Sequence, residues 1–149
     1  MGLMADLEPG PVAVDTAAFV YFIEEDPRYL PQVLSLFTAA DAGEVALVTS
    51  ALTLLEVLVV PYRARNRQVA DRYERVMTRS RGLRLIELTH DQLRAAAQLR
   101  AAIGVKTPDA LQLSAALSAG CRSFVTNDRR LPTIPGLRVL QLSSYVAPH

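Results

Sequence analysis

The chain has 149 residues, half of them apolar and about a fifth charged, so it suits one compact globular domain and is too short for two ordinary ones. Its net charge of +1 is not the strongly basic balance that by itself indicates a nucleic-acid-binding protein, although every basic residue except Lys106 is an arginine. The single cysteine, Cys121, excludes an internal disulfide bond and a metal site made of several thiolates.

Segments of strand character alternate with segments of helical character along the chain. The predicted strands are residues 12–14, 45–48, 83–88, 123–126 and 137–142. The predicted helices are residues 17–24, 30–40, 51–60, 67–80, the stretch from a capping box at 89–92 to residue 103, and residues 107–119. Strands separated by helices favour parallel pairing with helices on both faces, which is a three-layer α/β sandwich.

Residue types at several helix ends predict how those helices begin and stop. Thr49 and Ser50 end the second strand and can cap the helix that follows, and Pro61 is expected to stop or kink that helix. Thr107 is the expected cap of the last helix, with Pro108 at its first position.

The texture of the strands predicts their order in the sheet. Residues 12–14, 45–48 and 124–125 of the first, second and fourth strands are continuously apolar, as buried central strands are, whereas charged or polar residues interrupt the third and fifth, which belong at the edges. The order 3-2-1-4-5 meets this constraint in a mostly parallel five-stranded sheet. We expect a single domain over residues 1–149, with its core at about 12–142.

Two aspartates fall where this strand order creates a crevice. Asp15 ends the first strand and Asp128 follows the fourth. These strands are neighbours at the point where the order reverses, and α/β sheets bind ligands there, beyond the carboxyl ends of the strands. Thr16 and Thr126 are placed to hydrogen-bond a ligand or a carboxylate. The alternative is an ordinary structural role, with Asp15 as a helix cap and Asp128 as a turn residue.

Two further acids are candidates for the same site. Glu56 lies in a largely apolar helix, so its carboxylate must face a cation or form a buried ion pair with an arginine. Thr49, Thr53 and Glu56 share one helix face, so their polar groups are expected to point together. Asp109 lies in the first turn of an apolar helix, where the helix dipole alone favours an acid, as it does for Asp91. Four converging carboxylates would form a site for a hard divalent cation.

No rival catalytic set is readable in the sequence. The histidines, His90 and His149, lie in a helix cap and at the terminus, and both are expected in solvent. There is no nucleophile elbow and no glycine-rich phosphate loop. No apolar run reaches the roughly 20 residues that cross a bilayer, and nothing resembles a secretion signal, so we expect a cytoplasmic protein with no membrane partner.

Arginines are concentrated in residues 63–84, where Asp71 and Glu74 are the only acids. Arg72, Arg75 and Arg79 recur there at helical spacing. They form either a solvated helix face or a patch that binds the phosphates of a polyanion.

Three more bases flank two of the acids, namely Lys106, Arg129 and Arg130. They are placed to reach phosphate groups beside a bound cation. A cation site with nearby bases is the layout that phosphodiester hydrolysis requires.

Four segments together resemble the PIN domain, and most closely the small VapC-type toxins of prokaryotic toxin–antitoxin pairs. They are Val-Asp-Thr at 14–16, the stretch from Thr-Ser to Glu at 49–56, Lys-Thr-Pro-Asp-Ala-Leu at 106–111 and Val-Thr-Asn-Asp at 125–128. The resemblance covers about residues 12–142 and leaves out the residues before Pro11.

The resemblance implies a metal-dependent endoribonuclease that hydrolyses RNA. Its Mg²⁺ or Mn²⁺ would be held by an acidic quartet that maps to Asp15, Glu56, Asp109 and Asp128. The family's supporting hydroxyl maps to Thr126. A homodimer is also implied, as is an antitoxin that covers the first helices and blocks the site. Gln112 stands where many relatives carry histidine, a departure that leaves the acids intact.

Other functions stay open at this point. A non-catalytic RNA-binding or partner-binding PIN-like module would share the arginines without cleaving RNA, and a non-toxin RNA-processing nuclease would share the acids. A receiver-type signalling domain also gathers acids at the end of a parallel sheet, but it expects a lysine near the end of the last strand, and residues 137–142 contain none.

Overall fold

The computed structural model describes residues 2–146, and the prediction for His149 lies outside the described residues. The helices are α1 (Leu3–Asp6), α2 (Thr16–Ile23), α3 (Leu30–Asp41), α4 (Leu52–Arg63), α5 (Arg67–Arg79), α6 (His90–Ile103) and α7 (Thr107–Ser118). The strands are β1 (Val12–Val14), β2 (Leu47–Ser50), β3 (Leu83–Ile86), β4 (Ser123–Thr126) and β5 (Arg138–Gln141), and a short 3₁₀ helix follows at Leu142–Tyr145. No helix among these residues is long and apolar enough to cross a membrane.

The five strands form one sheet in the order β3-β2-β1-β4-β5, and each neighbouring pair is parallel. The predicted fold class and strand order are therefore confirmed. The central strand β1 is wholly buried, whereas the outer strands expose Arg84 of β3 and Arg138 of β5 to solvent. Burial on both faces explains why β1 is wholly apolar and why Leu47 and Val48 of β2 and Phe124 and Val125 of β4 are apolar.

Helices cover both faces of the sheet, so the hydrophobic core has two halves. Val12 and Val14 of β1 belong to one half, with Phe19 of α2 and Leu36 of α3. Ala13 lies in the other half, which is built with residues of α6 and α7. Successive strand residues point to opposite faces, so a three-residue strand contributes to both halves.

The end of β2 differs from the prediction. Thr49 and Ser50 were expected to leave the strand and cap a helix, but they continue β2 in register with Leu85 and Ile86 of β3. Their buried hydroxyl groups are satisfied locally, since Thr49 bonds Thr53 and the Ser50 hydroxyl accepts from the Leu52 N–H. This side-chain pairing removes the cost of burying polar residues at a strand end.

Two other helix boundaries also differ. Helix α4 runs through Pro61 to Arg63, because Pro61 lies in its last turn and its ring is buried, which offsets the one lost hydrogen bond. Helix α7 has Lys106 as its cap residue, and the predicted cap Thr107 is already its first helical residue with no capping bond from a side chain. By contrast, Thr89 caps α6 as predicted, with its hydroxyl accepting from the Gln92 N–H.

The single cysteine is buried just before β4. Cys121 is 5% exposed, and burial raises the pKa of its thiol to about 11. The thiol is a packing element of the core half that contains α7.

A test of the packing between α3 and β3 is available at Gly82. This residue has φ +74, and an added Cβ would lie 2.4 Å from the Ala40 carbonyl oxygen. Gly43 has φ +80 and open space around the same position. Gly43→Ala should therefore cost only the backbone strain of about 1–2 kcal/mol. Gly82→Ala should lower the free energy of unfolding by roughly 2 kcal/mol more, because backbone must also move. Urea denaturation of both variants checks this, and equal losses would contradict the close approach.

Candidate functional site

Asp15 combines a structural role with a position at the crevice. Its N–H donates to the Val125 carbonyl at 3.2 Å, which holds the end of β1 against β4. One carboxylate oxygen caps α2 by accepting from the Ala17 N–H at 3.2 Å. The other oxygen accepts from the Thr126 hydroxyl. The capping interpretation is therefore correct, and the same side chain also faces β4.

Thr126 connects two of the predicted acids. Its hydroxyl group is fully buried at the end of β4, donates to Asp15 and accepts from the Asp128 N–H at 3.0 Å. One hydroxyl thus fixes both the Asp15 carboxylate and the backbone of the loop that carries Asp128.

Glu56 reaches the same end of the sheet from α4. The Thr16 hydroxyl donates to its Oε1 atom at 2.7 Å. Because Thr16 directly follows Asp15, this bond brings Glu56 beside the first acid. The ion pairs formed within residues 2–146 do not include Glu56, so the alternative of a buried pair with arginine is not what the structure shows.

Thr49 and Thr53 do not point with Glu56 into the crevice, contrary to prediction. Both are buried and bond each other at 2.7 Å, and both bond the amide of Gln112. Thr53 does share α4 with Glu56, but Thr49 lies in β2 and not on the helix, and both threonine hydroxyl groups find a partner in Gln112 of α7. Periodicity in a sequence predicts which side of a helix a residue occupies, but not which group its side chain will hydrogen-bond.

The charge of Asp128 affects the pKa of Asp109, which lies in the first turn of α7. Burial is the main cause that raises the Asp109 pKa, and the neighbouring Asp128 carboxylate raises it further. Lys106 and Arg130 act in the opposite direction on the same pKa. These influences place Asp109, Asp128 and the two bases in one electrostatic neighbourhood.

Burial raises the pKa of Asp15 to about 6. The hydrogen bonds from Thr126, Ala17 and Ala18 lower it, and the charge of Asp128 raises it. Asp15 is thus linked to Asp128 by charge and to Glu56 through Thr16. The structure brings Asp15, Glu56 and Asp128 to one end of the sheet, and the charge of Asp128 also reaches Asp109.

Arg130 already neutralises one of these acids. Its N–H and its Nε atom donate to Asp128 Oδ1 at 2.9 and 3.2 Å, and these bonds lower the Asp128 pKa against the opposing effect of burial. Within residues 2–146, no three His, Cys, Asp or Glu side chains stand close enough to hold a metal ion as they are oriented. Arg130 and Thr16 instead hold two of the acidic side chains, those of Asp128 and Glu56.

The residues present nevertheless fit a hard divalent cation. The donors are all carboxylate or hydroxyl oxygens, which Mg²⁺ and Mn²⁺ prefer over nitrogen and sulfur. Burial, with the charge of Asp128 added to it, raises the pKa of Asp15 and of Asp109, and a bound cation would stabilise the ionised form of both against these effects. Rotations of the Asp109, Asp128 and Glu56 side chains would be needed to close the set.

The predicted phosphate-binding residues are spread more widely. Lys106 is exposed at the start of α7, and Arg129 donates to the Ser143 hydroxyl at 2.9 Å. Arg72 donates to the Ile23 carbonyl at the far end of α2, about 10 Å along that eight-residue helix from Thr16. Arg75 and Arg79 are exposed on the same helix as Arg72, and the three are named here the arginine face.

Asn127 is a residue whose role sequence reasoning missed. Its amide nitrogen donates to the Tyr21 hydroxyl at 3.1 Å, and its amide oxygen accepts from the Ser143 N–H at 3.0 Å. The side chain therefore anchors the loop between Thr126 and Asp128 to α2 and to the 3₁₀ helix. Its position between two site residues was the only signal in the sequence.

The sequence profile of the PIN domain family matches residues 12–137. The chain belongs to the PIN domain family. The match begins at β1 and leaves out α1, in agreement with the limit expected from the motifs. A search of curated protein sequences found no match to the chain.

Solved structures with the same fold include components of toxin–antitoxin systems. The VapBC2 complex of Rickettsia felis, bound to a promoter DNA fragment, contains a chain with TM-score 0.66 and 19% identity, over 87% of this chain and 97% of that one. A toxin–antitoxin complex from Klebsiella pneumoniae gives 0.65 and 20%, over 88% and 97%. The sarcin–ricin-loop-cleaving toxin VapC20 of Mycobacterium tuberculosis gives 0.65 and 15%, over 80% and 92%. At these identities the likeness establishes the PIN fold.

The raised pKa of Asp15 predicts a pH-dependent effect of its replacement. The pKa is about 6 in the folded chain and near 3.8 when unfolded, so the stabilisation present below pH 3.8 is lost as the pH rises through 6. Asp15→Asn has no carboxyl group to ionise, so the variant does not lose this stabilisation as the pH rises. In EDTA, its free energy of unfolding relative to wild type should increase by about 2–3 kcal/mol between pH 4 and pH 7.

Asp128 supplies a control of opposite sign. Its pKa is lowered in the folded chain, so its stabilisation is present at neutral pH and is lost as the pH falls toward its folded pKa. Asp128→Asn should destabilise the protein at pH 7 and lose this effect in acid. Urea denaturation at both pH values checks the pair, and parallel behaviour of the two variants would contradict the electrostatic description.

Proposed function

We propose that this PIN-domain chain is a Mg²⁺- or Mn²⁺-dependent endoribonuclease and the toxin of a toxin–antitoxin pair. The observation that carries the proposal is the bond between Asp15 and Thr126 at the carboxyl end of β1 and β4, with Asp128 in the loop that follows. The Thr16 hydroxyl binds Glu56 beside this pair, and the charge of Asp128 acts on Asp109. Membership of the PIN family and the toxin–antitoxin neighbours support it.

The four acids would hold the divalent cation. When bound, the cation supplies Lewis acidity toward a phosphate group and lowers the pKa of water. Asp15 has a pKa of about 6 and is mainly ionised at neutral pH, as a ligand of a cation must be. Thr126 keeps the Asp15 carboxylate and the Asp128 loop in register, and Thr16 does the same for Glu56.

The remaining roles concern the substrate. Glu56 or Asp109 orients the attacking water, and Lys106 and Arg129 neutralise phosphates that flank the cleaved bond. Arg130 neutralises Asp128 and becomes free to bind phosphate when a cation takes its place. The arginine face holds more distant backbone phosphates.

The partners follow from the neighbours. The Rickettsia felis and Klebsiella pneumoniae structures are complexes of toxin and antitoxin, and VapC20 is a toxin that cleaves the sarcin–ricin loop. These relatives support an RNA substrate and a cognate antitoxin for this chain. A homodimer and a cytoplasmic location complete the proposal.

A second function is favoured by one observation. As oriented, no three acids of residues 2–146 are close enough to hold an ion. A non-catalytic RNA-binding PIN module would need no such closure. A non-toxin RNA-processing nuclease shares every site residue with the toxin and is distinguished by the absence of growth arrest on induced expression.

Asp109→Asn should abolish RNA cleavage, since it removes one negative ligand from the cation site. We expect a loss of at least about 100-fold, given that a catalytic cation supplies several kcal/mol. Asp91 is a matched control, because it also lies in the first turn of a helix but is exposed and paired with Arg94. Asp91→Asn should cleave a fluorogenic RNA at the wild-type rate in Mn²⁺.

Excess EDTA should stop cleavage by wild type and by Asp91→Asn alike. Wild-type rates in EDTA or in Asp109→Asn would remove the metal-dependent mechanism. RNA binding without cleavage, across Mg²⁺ and Mn²⁺ titrations, would instead support the non-catalytic module.

The arginine face should contribute to RNA affinity. Ion pairs within residues 2–146 involve Arg94, Arg122, Arg130 and Arg138, so the arginine face is not neutralised by acids of the described chain. Replacing Arg72, Arg75 and Arg79 with Gln should weaken binding and reduce the salt slope by up to about 2, at roughly 0.7 per phosphate contact. Fluorescence anisotropy in the Asp109→Asn background measures this without cleavage.

The same change of net charge elsewhere is the control. A triple variant of Arg94, Arg122 and Arg138 to Gln removes three arginines that already pair with acids. This control variant should retain most of the wild-type affinity for RNA. Equal losses in both triple variants would show that only net charge matters and that the arginine face has no special part.

A further inference from the structure

Gln112 is a buried amide at the junction of three segments. It lies on α7 and is 6% exposed. Its Oε1 atom accepts from the Ser50 N–H at 3.2 Å and from the Thr49 hydroxyl at 3.3 Å. Its Nε2 atom donates to the Thr53 hydroxyl at 2.7 Å. One side chain thus joins α7 to the end of β2 and to α4.

Thr49, Thr53 and Gln112 form a closed set that we name the hydroxyl–amide ring. The Ser50 N–H can only donate, so it fixes which end of the amide carries oxygen. Thr49 then donates to Gln112, Gln112 donates to Thr53, and Thr53 donates to Thr49 at 2.7 Å. No polar side-chain atom of the ring lacks a partner. A buried network with every member satisfied specifies one geometry.

The ring lies one helical turn from two of the acids. Asp109 precedes Gln112 by three residues on α7, and Glu56 follows Thr53 by three residues on α4. Residues three apart lie on the same side of a helix. The bond between Gln112 and Thr53 therefore ties together the two helices that carry these carboxylates. Apolar contacts alone would let the helices slide, because dispersion and hydrophobic burial have little directionality.

We propose that Gln112 is a positioning residue that fixes the separation of Glu56 and Asp109, so that both carboxylates can reach one divalent cation. The inference rests on the proposed function. It assigns Gln112 no contact with RNA and no part in proton transfer. Its effect on the site passes through Thr53 and the helix backbones.

The test compares Mn²⁺ binding by the full chain and its variants. Gln112→Met keeps the volume and removes the hydrogen bonds, and Thr53→Val does the same from α4. Each should weaken Mn²⁺ binding by about tenfold or more, the cost typical of losing an outer residue that orients ligands. Calorimetry or the electron paramagnetic resonance of free Mn²⁺ measures the affinity well below the unfolding temperature.

Ser114→Ala is the matched control. Ser114 is a buried polar residue of the same helix, 2% exposed, and its hydroxyl has no hydrogen-bond partner. It should leave Mn²⁺ affinity unchanged. The double variant Gln112→Met, Thr53→Val should lose no more than the larger single loss, because both changes break one ring.

Three outcomes would overturn the inference alone, and a fourth would overturn the proposed function as well. Unchanged Mn²⁺ affinity in Gln112→Met, together with a lower unfolding midpoint, would make the ring a stabilising element only. Additive losses of Mn²⁺ affinity in the double variant would show that the two residues act independently and not through one ring. If Gln112→Met does not fold, unchanged affinity in Thr53→Val decides against the proposal. Failure of the wild type to bind Mn²⁺ would instead overturn the proposed function and the inference with it.

Discussion

Parallel pairing of β1 with β4 is the constraint on which the site depends. It places Val14 opposite Val125, and the next residues along each strand, Asp15 and Thr126, then meet through a hydrogen bond although they are 111 residues apart. Neither segment contributes to the crevice alone. Bringing such distant segments together carries an entropic cost, which the packing of the sheet must offset. The site therefore exists only where β1 and β4 are paired.

The acids at this edge differ in environment although they are chemically alike. Burial keeps the pKa of Asp15 and of Asp109 above the ordinary value, and Asp128 adds to both. The backbone N–H and the guanidinium group of Arg130 lower the pKa of Asp128. Lys106 and Arg130 partly offset the charge at Asp109, whereas no base is among the causes that shift the pKa of Asp15. An incoming cation would therefore find its least compensated negative charge at Asp15.

The strand order was predictable because burial on both faces leaves a trace in composition, and the acids were predictable because each follows a strand or interrupts an apolar helix. The end of β2, the cap of α7 and the direction of Thr49 and Thr53 were predicted wrongly. These depend on which polar partner is near in space, and local patterns do not contain that information. The Gln112 network and the Asn127 anchor escaped prediction for the same reason. The catalytic and metal-binding roles of the acids stay predictions.

The chemistry of Cys121 has a practical consequence for work on this chain. A thiol with a pKa of about 11 is almost wholly protonated at neutral pH, so it reacts slowly with alkylating reagents, and it is the only cysteine. A second cysteine introduced on an exposed position of α5 could be labelled with a spin probe while the natural one stays unmodified. Bound Mn²⁺ is paramagnetic and would broaden the spectrum of that probe by an amount that depends on the distance between the ion and the probe. The position of bound Mn²⁺ could therefore be measured from several such labels without first replacing the natural cysteine.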